Sequence, residues 1–476
     1  MAKILDIPLY LRLNEKKLFA LWRHSMKKRR EWTTREKKRA CRRKNDKGIV
    51  DVFKIIMHFF KPLTEWIMEM KDPRHPSYIT YTQADLVYVG ILKNLCSVES
   101  MRQMTDLFNE DACISAIPLL SGNWDISEMP HGDTLNFYLE RLSPECLSEL
   151  RRKMVKELLK SRRFHRFRLL GKYWRVVMDG TGLFYFKERH CENCLKEAHH
   201  DADGKKTSRY YHKVLEAKLV LMDGLVISLG TEFIENESED VKKQDCELNA
   251  AKRLMERLKR EYPRLCICIQ ADALYETEPF MGLCRQNGWE YIFTHKDTRQ
   301  RSAGEGYALL NEDKTTVYRI GRENGTGKFY NGVGFLAGKQ ETMNLFEYSH
   351  VDGEGESRLY QWNTSLTVTV RNLGELVDAG RGRWQIENEG FNLQKNTLYE
   401  IEHLNSRNPN AMKNHYLLTQ VSDIIMQLYL HWNFMSRRMG QGIKNTSARL
   451  LESFRRHTIT EEDVSYIMRH TSMYLE

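Results

Sequence analysis

From Asp51 to about Phe167 the apolar residues recur at helical spacing. Val52, Ile55, Ile56, Phe59 and Phe60 make one stripe, and Leu86, Val89, Leu92, Leu95 and Cys96 make another. Asp133 can cap a helix bearing Leu135, Tyr138, Leu139 and Leu142. Pro144 can open the next, in which Leu147, Leu150, Met154, Leu158 and Leu159 form a stripe, with Arg151, Arg152, Lys153 and Lys156 mostly off it.

Beyond Lys172 the period changes. Tyr173 to Met178 is a strand-like run ending at Asp179, and Asp179-Gly180-Thr181-Gly182 is expected to break it. Residues 188–212 have the polarity of a loop. Val214 to Met222 and Leu225 to Ile234 are two β-rich runs joined by Asp223-Gly224, the signal of a two-residue hairpin turn. A helix is expected from about Ser238 to Tyr262, stopped by Pro263. A buried strand from Leu265 to Ile269 then leads to Asp272, followed by a helix around 277–287 and a strand from Trp289 to Thr294.

That order allows a mixed sheet with an antiparallel hairpin on one side and right-handed crossovers returning parallel strands on the other, with both aspartates at strand ends. The fold class is therefore α/β. Residues 1–167 form a mainly helical region, 168–295 the first part of a mixed-sheet core, 296–366 a Gly-rich β insertion, and 367–476 a core helix with the C-terminal helices. In the insertion the β-like runs are Val317 to Ile320, Phe329 to Leu336, Leu345 to Tyr348 and Leu359 to Thr364.

The 476 residues exceed one ordinary core, so two or three domains are expected. With 41% hydrophobic and 29% charged residues the composition is that of a soluble globular protein. No apolar run approaches the ~18 residues of a membrane span. Asp6, Pro8 and Arg12 interrupt what a secretory peptide would need as an apolar core, so a cytoplasmic location is expected. The ten cysteines are spread as singles and two close pairs, unlike the dense framework of a small secreted domain.

Charge adds a partner. Between Arg23 and Lys47 stand thirteen Lys or Arg, among them Lys27, Lys28, Arg29, Arg30, Arg42 and Arg43, against Glu31, Glu36 and Asp46. This excess of ten equals the net charge of the whole chain, +10. Such a cluster suits a DNA phosphate backbone, because neutralising it releases condensed counterions. A solubilising basic tail is the plainer alternative, and a membrane surface lacks an apolar helical face here.

Hard divalent cations such as Mg²⁺ take oxygen ligands, and enzymes acting on phosphodiesters hold two of them with carboxylates from separate elements. Asp179 and Asp272 are placed for that. Taken alone, each has an ordinary explanation: Asp-Gly is a turn pair, and an Asp after a strand often caps a helix. A third acid lies in the run Arg381 to Lys395. On an α-helix Trp384, Glu387 and Phe391 share one broad face, whereas Glu389 lies about 140° from Trp384. Arg383, one turn before Glu387, can steady that carboxylate or reach a phosphate.

Asp179 in Met-Asp-Gly-Thr, Asp272 after a buried strand, and Arg-Trp-x-Ile-Glu with a downstream Lys together resemble the DDE transposases of bacterial insertion sequences. They are most similar to the group with a Tyr-Arg-Glu-Lys signature and an RNase H-like core interrupted by a β-rich insertion. The spacings agree in order: 93 residues separate the aspartates, and 115 separate Asp272 from Glu387. The resemblance covers roughly Lys172 to Lys395. It implies Mg²⁺ or Mn²⁺, as two ions, on Asp179, Asp272 and Glu387, and DNA phosphate contacts by Arg383 and Lys395. It also implies double-stranded DNA as substrate, a homodimer on DNA, and a place at the bacterial nucleoid. A hydrolytic nuclease or resolvase on the same fold, or a DNA-binding protein without catalysis, are the alternative readings. The sequence departs from the signature twice: Gly380 stands where the Tyr belongs, and Lys395 is eight rather than seven residues past Glu387.

One further cluster, His190, Cys191 and Cys194 with His199 and His200, has ligand types that suit structural zinc. Only one C-x-x-C is present and no second pair follows at finger spacing, so the expectation is a polar loop with unligated thiols. Arg209 to Lys213 could stack on or clamp DNA, although a tyrosine pair before a strand is more often packing.

Overall fold

Strand β1 (Trp174–Phe186) organises the molecule. It lies between β3 (Lys206–Met222), antiparallel to it, and β5 (Ile267–Ala271), parallel to it. Beyond β3 lies β4 (Leu225–Ile234), and β2 (Leu195–His200) pairs with the other end of β3. Beyond β5 lies β6 (Glu290–Thr294), again parallel. The central order is thus β4-β3-β1-β5-β6: three antiparallel strands followed by two parallel returns. This computed structural model describes residues 47–200, 206–222, 224–238, 241–296, 307, 317–320, 325–334, 342–432 and 443–469. Lys27, Lys28, Arg29, Arg30, Arg42 and Arg43 lie outside the described residues.

The helices divide between the faces of the sheet. Helices α1 (Gly48–Phe59), α2 (Gln83–Leu95), α3 (Gly132–Arg141) and α4 (Pro144–Lys160) precede it. Helix α5 (Glu247–Glu261) and α6 (Glu278–Gln286) make the crossovers on either side of β5. Helix α7 (Leu373–Arg381) follows the insertion, and α8 (Pro409–Trp432), α9 (Ile443–Arg456) and α10 (Glu461–Met468) close the described chain. Local chemistry sets their ends. Thr82 and Asp85 form a reciprocal capping box at the start of α2, and Thr460 and Asp463 do the same for α10.

Alternation along β1 assigns its two faces. Val176 and Met178 join Leu215, Ala217 and Leu219 of β3 against Leu254, Met255 and Leu258 of α5, all buried. That cluster continues through Ile55, Leu92 and Leu139 to Ile425 of α8, so helices from before and after the sheet share it. Val177, Val220 and Val226 face the other way and pack under Ile386 and Phe391.

Several expectations are corrected. The Asp179-Gly-Thr-Gly run does not end β1: Asp179 pairs with Glu216 and Gly182 with Lys213, so the long partner β3 carries the strand through both glycines. Asp179 is therefore inside a strand, not at its end. The expected loop 188–212 contains β2 and the first turns of β3, an outer hairpin arm whose alternation hides because both its faces are largely polar. The Met222/Leu225 hairpin forms as expected, with Gly224 at φ +76°. Helix α5 starts at Glu247, nine residues after Ser238, because the apolar repeat begins only at Leu248; the preceding Gln244 instead bonds both backbone groups of Lys196 in β2.

The β-rich insertion comprises β7 (Tyr318–Ile320), β8 (Gly325–Gly334), β9 (Thr342–Val351) and β10 (Ser357–Thr364). It extends the central sheet, because β10 pairs antiparallel with β6, Asn363 opposite Phe293.

After α7 the chain tightens into a 3₁₀ turn, Gly382–Trp384, and then widens into π-helical turns, Ile386–Asn392 and Gln394–Leu398. The expected regular α-helical face is therefore wrong in detail. Trp384 is 52% exposed while Phe391 is 4% exposed, so the two aromatics do not share an inward face.

Candidate active site

Parallel pairing of β1 with β5 runs from Trp174 opposite Ile267 to Val177 opposite Gln270. Two residues beyond that register come Asp179, still within β1, and Asp272, the first residue past β5, on chains whose strand axes are ~4.8 Å apart. Both belong to the face of Val177 and Gln270, over which α7 and the π-helical turns pass; Gln270 donates to the Ala379 carbonyl at 2.8 Å.

Asp179 is half-buried. One carboxylate oxygen accepts from the Gly180 N–H at 2.9 Å, and the other lies 3.6 Å from Nη1 of Arg383. Burial pushes its carboxyl up to about 6; Arg383 and the Gly180 N–H oppose that shift, and the carboxylates of Glu247 and Asp272 add to it. Asp272 caps the turn Ala273–Tyr275, its Oδ1 accepting from the Leu274 N–H at 2.9 Å. The helix-cap reading and the site reading hold for it together.

Glu387 and Asp179 line one cleft of about 470 Å³, which Lys395, Lys213, Tyr185 and Tyr211 also border. Glu387 is half-buried, with no hydrogen bond or ion pair among the described residues. Glu389 does not line this cleft. The turns carrying Glu387 are anchored from below. Buried Gln394 donates to Asp423 of α8 at 2.9 Å and exchanges bonds with Gln420, which also accepts from Lys218 of β3 at 3.3 Å.

The two basic helpers are placed differently from expectation. Arg383 pairs with Asp179 and not with Glu387, because the tightened turn at 382–384 spoils the i,i+4 relation. Lys395 reaches the cleft with its Nζ 2.7 Å from Glu402 at the surface. Gly380, in the place of the signature tyrosine, is packed against the Trp362 indole, where an added Cβ would come to 2.6 Å of the ring.

Two residues in or beside the cleft, Tyr185 and Glu247, escape a sequence reading. Glu247, at the start of α5, takes Nζ of Lys213 at 2.6 Å and the hydroxyl of Tyr275 at 2.8 Å, beside Gly180. A Cβ at Gly180 would collide with that carboxylate, so the glycine admits the pair. Tyr185 and Tyr211 stack with ring centroids 5.8 Å apart, and Arg209 lies 4.4 Å over Tyr185, which is 48% exposed. Tyr211 stood in a run already marked by its basic neighbours; Glu247 carries no signal beyond that of a helix-start acid.

On the far side of the 382–387 turns lies a second cleft of about 680 Å³, bordered by Arg175, Arg381, Trp384 and Tyr360. Arg381 lies over the rings of Tyr348 and Tyr360. Both clefts are thus bordered by cations and by aromatic rings. No described helix is long and apolar enough to cross a membrane.

The sequence matches no family model and no curated protein. Among solved structures the chain is similar to that of a piggyBac transposase synaptic complex with hairpin DNA, at 10% identity and a TM-score of 0.39, over 88% of this chain and 82% of that one.

Proposed function

We propose that the chain is a DNA transposase of the DDE type, cleaving at element ends and joining the freed strand to target DNA. The observation that carries this reading is that Asp179, within β1, borders one cleft with Glu387 and feels the charge of Asp272, the residue that follows the parallel neighbour β5. The strand order, three antiparallel then two parallel, supports an RNase H-like core, and β7 to β10 between β6 and α7 support the insertion of the Tyr-Arg-Glu-Lys group.

The donor set fits hard divalent cations. It is all oxygen, Glu387 has no hydrogen-bond or ion-pair partner among the described residues, and burial, with smaller contributions from the Glu247 and Asp272 carboxylates, raises the proton affinity of Asp179 against the pull of Arg383. Mg²⁺ or Mn²⁺ held by Asp179, Asp272 and Glu387 would supply positive charge to both the attacking and the leaving oxygen of a phosphodiester. The protein's own groups do the rest. Arg383, released from Asp179, and Lys395, released from Glu402, can reach non-bridging phosphate oxygens. The Tyr185–Tyr211 stack offers a ring face to a base unstacked at the cut. The arm at residues 23–47 supplies sequence-independent attraction to the duplex. Two ends must be held together, so a homodimer on DNA belongs to the reading.

The test uses DNA flanking the coding region. Incubated with labelled ends, a target plasmid and Mg²⁺, the protein should yield both cut ends and joined products. Cut ends without joining would indicate a hydrolytic nuclease, and neither product would indicate a binding protein.

A further inference from the structure

Outside the acidic cleft, Cys191 and Cys194 meet a partner far along the chain. Their sulfurs are 3.5 Å apart, and Nε2 of His212 in β3 lies 3.4 Å from Sγ of Cys191 and 3.5 Å from Sγ of Cys194. The three ligand atoms form a nearly equilateral triangle. A tetrahedral zinc ion, with Zn–S of ~2.3 Å and Zn–N of ~2.0–2.1 Å, holds such atoms roughly 3.5–3.8 Å apart. The sulfur separation is far beyond the ~2.05 Å of a disulfide.

The triangle is built from below. Cys194 and His212 are buried, and Cys191 is half-buried. Buried Asn236, at the end of β4, fixes the loop from three directions. Its N–H donates to the Asn193 carbonyl at 3.2 Å, its Nδ2 donates to the Cys194 carbonyl at 2.9 Å, and its own carbonyl accepts from Asn193 at 3.0 Å. Phe184 and Phe186 flank the His212 ring.

We propose that Cys191, Cys194 and His212 bind a structural zinc ion. The two thiols give up their protons to solvent as the ion binds, and the half-exposed side by Cys191 admits a water as the fourth ligand. Two thiolates and one imidazole select zinc over Mg²⁺, which takes oxygen. The ion would tie the 187–194 loop to β3 between Tyr211 and Lys213, both of which border the acidic cleft. It would fix that wall without touching the reacting phosphate. The sequence offered His199 and His200 as partners; the structure instead supplies His212, eighteen residues from Cys194, because β3 turns back along β2 with Tyr211 opposite Leu195.

This inference does not depend on the transposase reading, since its readout is metal content. Full-length protein purified without chelator should carry one zinc per chain by elemental analysis. Cys191→Ser/Cys194→Ser should lose it, and His212→Ala should release it to a chelator at least about tenfold faster, a difference of ~1.4 kcal/mol. His199→Ala/His200→Ala should keep it. Cobalt exchanged into the wild type should show thiolate charge-transfer bands and the visible bands of a tetrahedral site, a measurement that stands if the cysteine variant fails to fold. Wild-type protein without zinc after incubation and desalting, or a cobalt spectrum lacking thiolate bands, would overturn the proposal.

Discussion

Nη1 of Arg383 stands 3.6 Å from Oδ2 of Asp179, so the arginine expected to hold substrate phosphate neutralises a cleft acid instead. In the proposed site this pair is a stand-in for the ionic contacts of the loaded state. A cation taking the carboxylate would free the guanidinium. Arg383→Gln should therefore bind Mn²⁺ at pH 8 at least as tightly as wild type, while DNA nicking falls about 10–100-fold, the worth of a charge-assisted hydrogen bond. Titration calorimetry and nicking on the same preparations separate the two effects. Weakened Mn²⁺ binding would make the arginine a prop of the acids rather than a phosphate contact.

Asp179 gives the account a pH dependence. Its folded carboxyl titrates at about 6, above the ~3.9 of an unfolded chain, so the folded state holds the proton more tightly. The sign follows from linkage: this group costs stability as pH rises from about 4 through about 6, and the full cost applies above that. Asp179→Asn should then stabilise the chain in EDTA at pH 7.5 by about 1–2 kcal/mol after discounting for partial exposure, read as a higher melting temperature, and leave the melting temperature unchanged at pH 4. Thermal melts at both pH values check this. An asparagine variant that is less stable at pH 7.5 would mean that the carboxylate is well satisfied without a cation.

Glu387 borders the cleft of Asp179 and Glu389 does not. Glu387→Gln should abolish cleavage and strand transfer, and Glu389→Gln should retain most of both, in assays on labelled ends. The reverse pattern would move the third acid by two residues and leave the fold untouched.

Gly380 tests a departure from the family signature. The Trp362 indole fills the space a side chain would need, with ring atoms 2.6–2.9 Å from a built Cβ. Gly380→Ala should destabilise the chain by roughly 1–3 kcal/mol, as overpacking does, in urea melts. A neutral result would show that the Trp362 indole gives way to a Cβ at this position.

Much of this arrangement was legible beforehand, for reasons particular to each element. The β3–β4 hairpin declares itself through Asp223-Gly224 between two apolar runs, and β5 through its unbroken apolar core before Asp272. Strand β2 was missed because an outer strand with two polar faces has no period to read. The π-helical turns were missed because i→i+5 bonding leaves no mark on apolar spacing; it is recognised only once Gln394, Gln420 and Asp423 are seen bonded beneath it. The tightened 3₁₀ turn at Gly382–Trp384, just ahead of the π-helical turns, is why Arg383 meets Asp179 and not Glu387. His212 became a partner of Cys191 and Cys194 only through the pairing of strands, which no local pattern reports.

The central claim is that Asp179, Asp272 and Glu387 form one cation-binding site. Direct Mn²⁺ binding at pH 7.5, followed by calorimetry on full-length protein, tests it without requiring DNA. Saturable binding by wild type is predicted, weakened at least about tenfold by Asp179→Asn, by Asp272→Asn and by Glu387→Gln alike, and unchanged by Glu389→Gln. Wild-type affinity in any one of the first three variants would remove that carboxylate from the site, and wild-type affinity in all three would contradict the account.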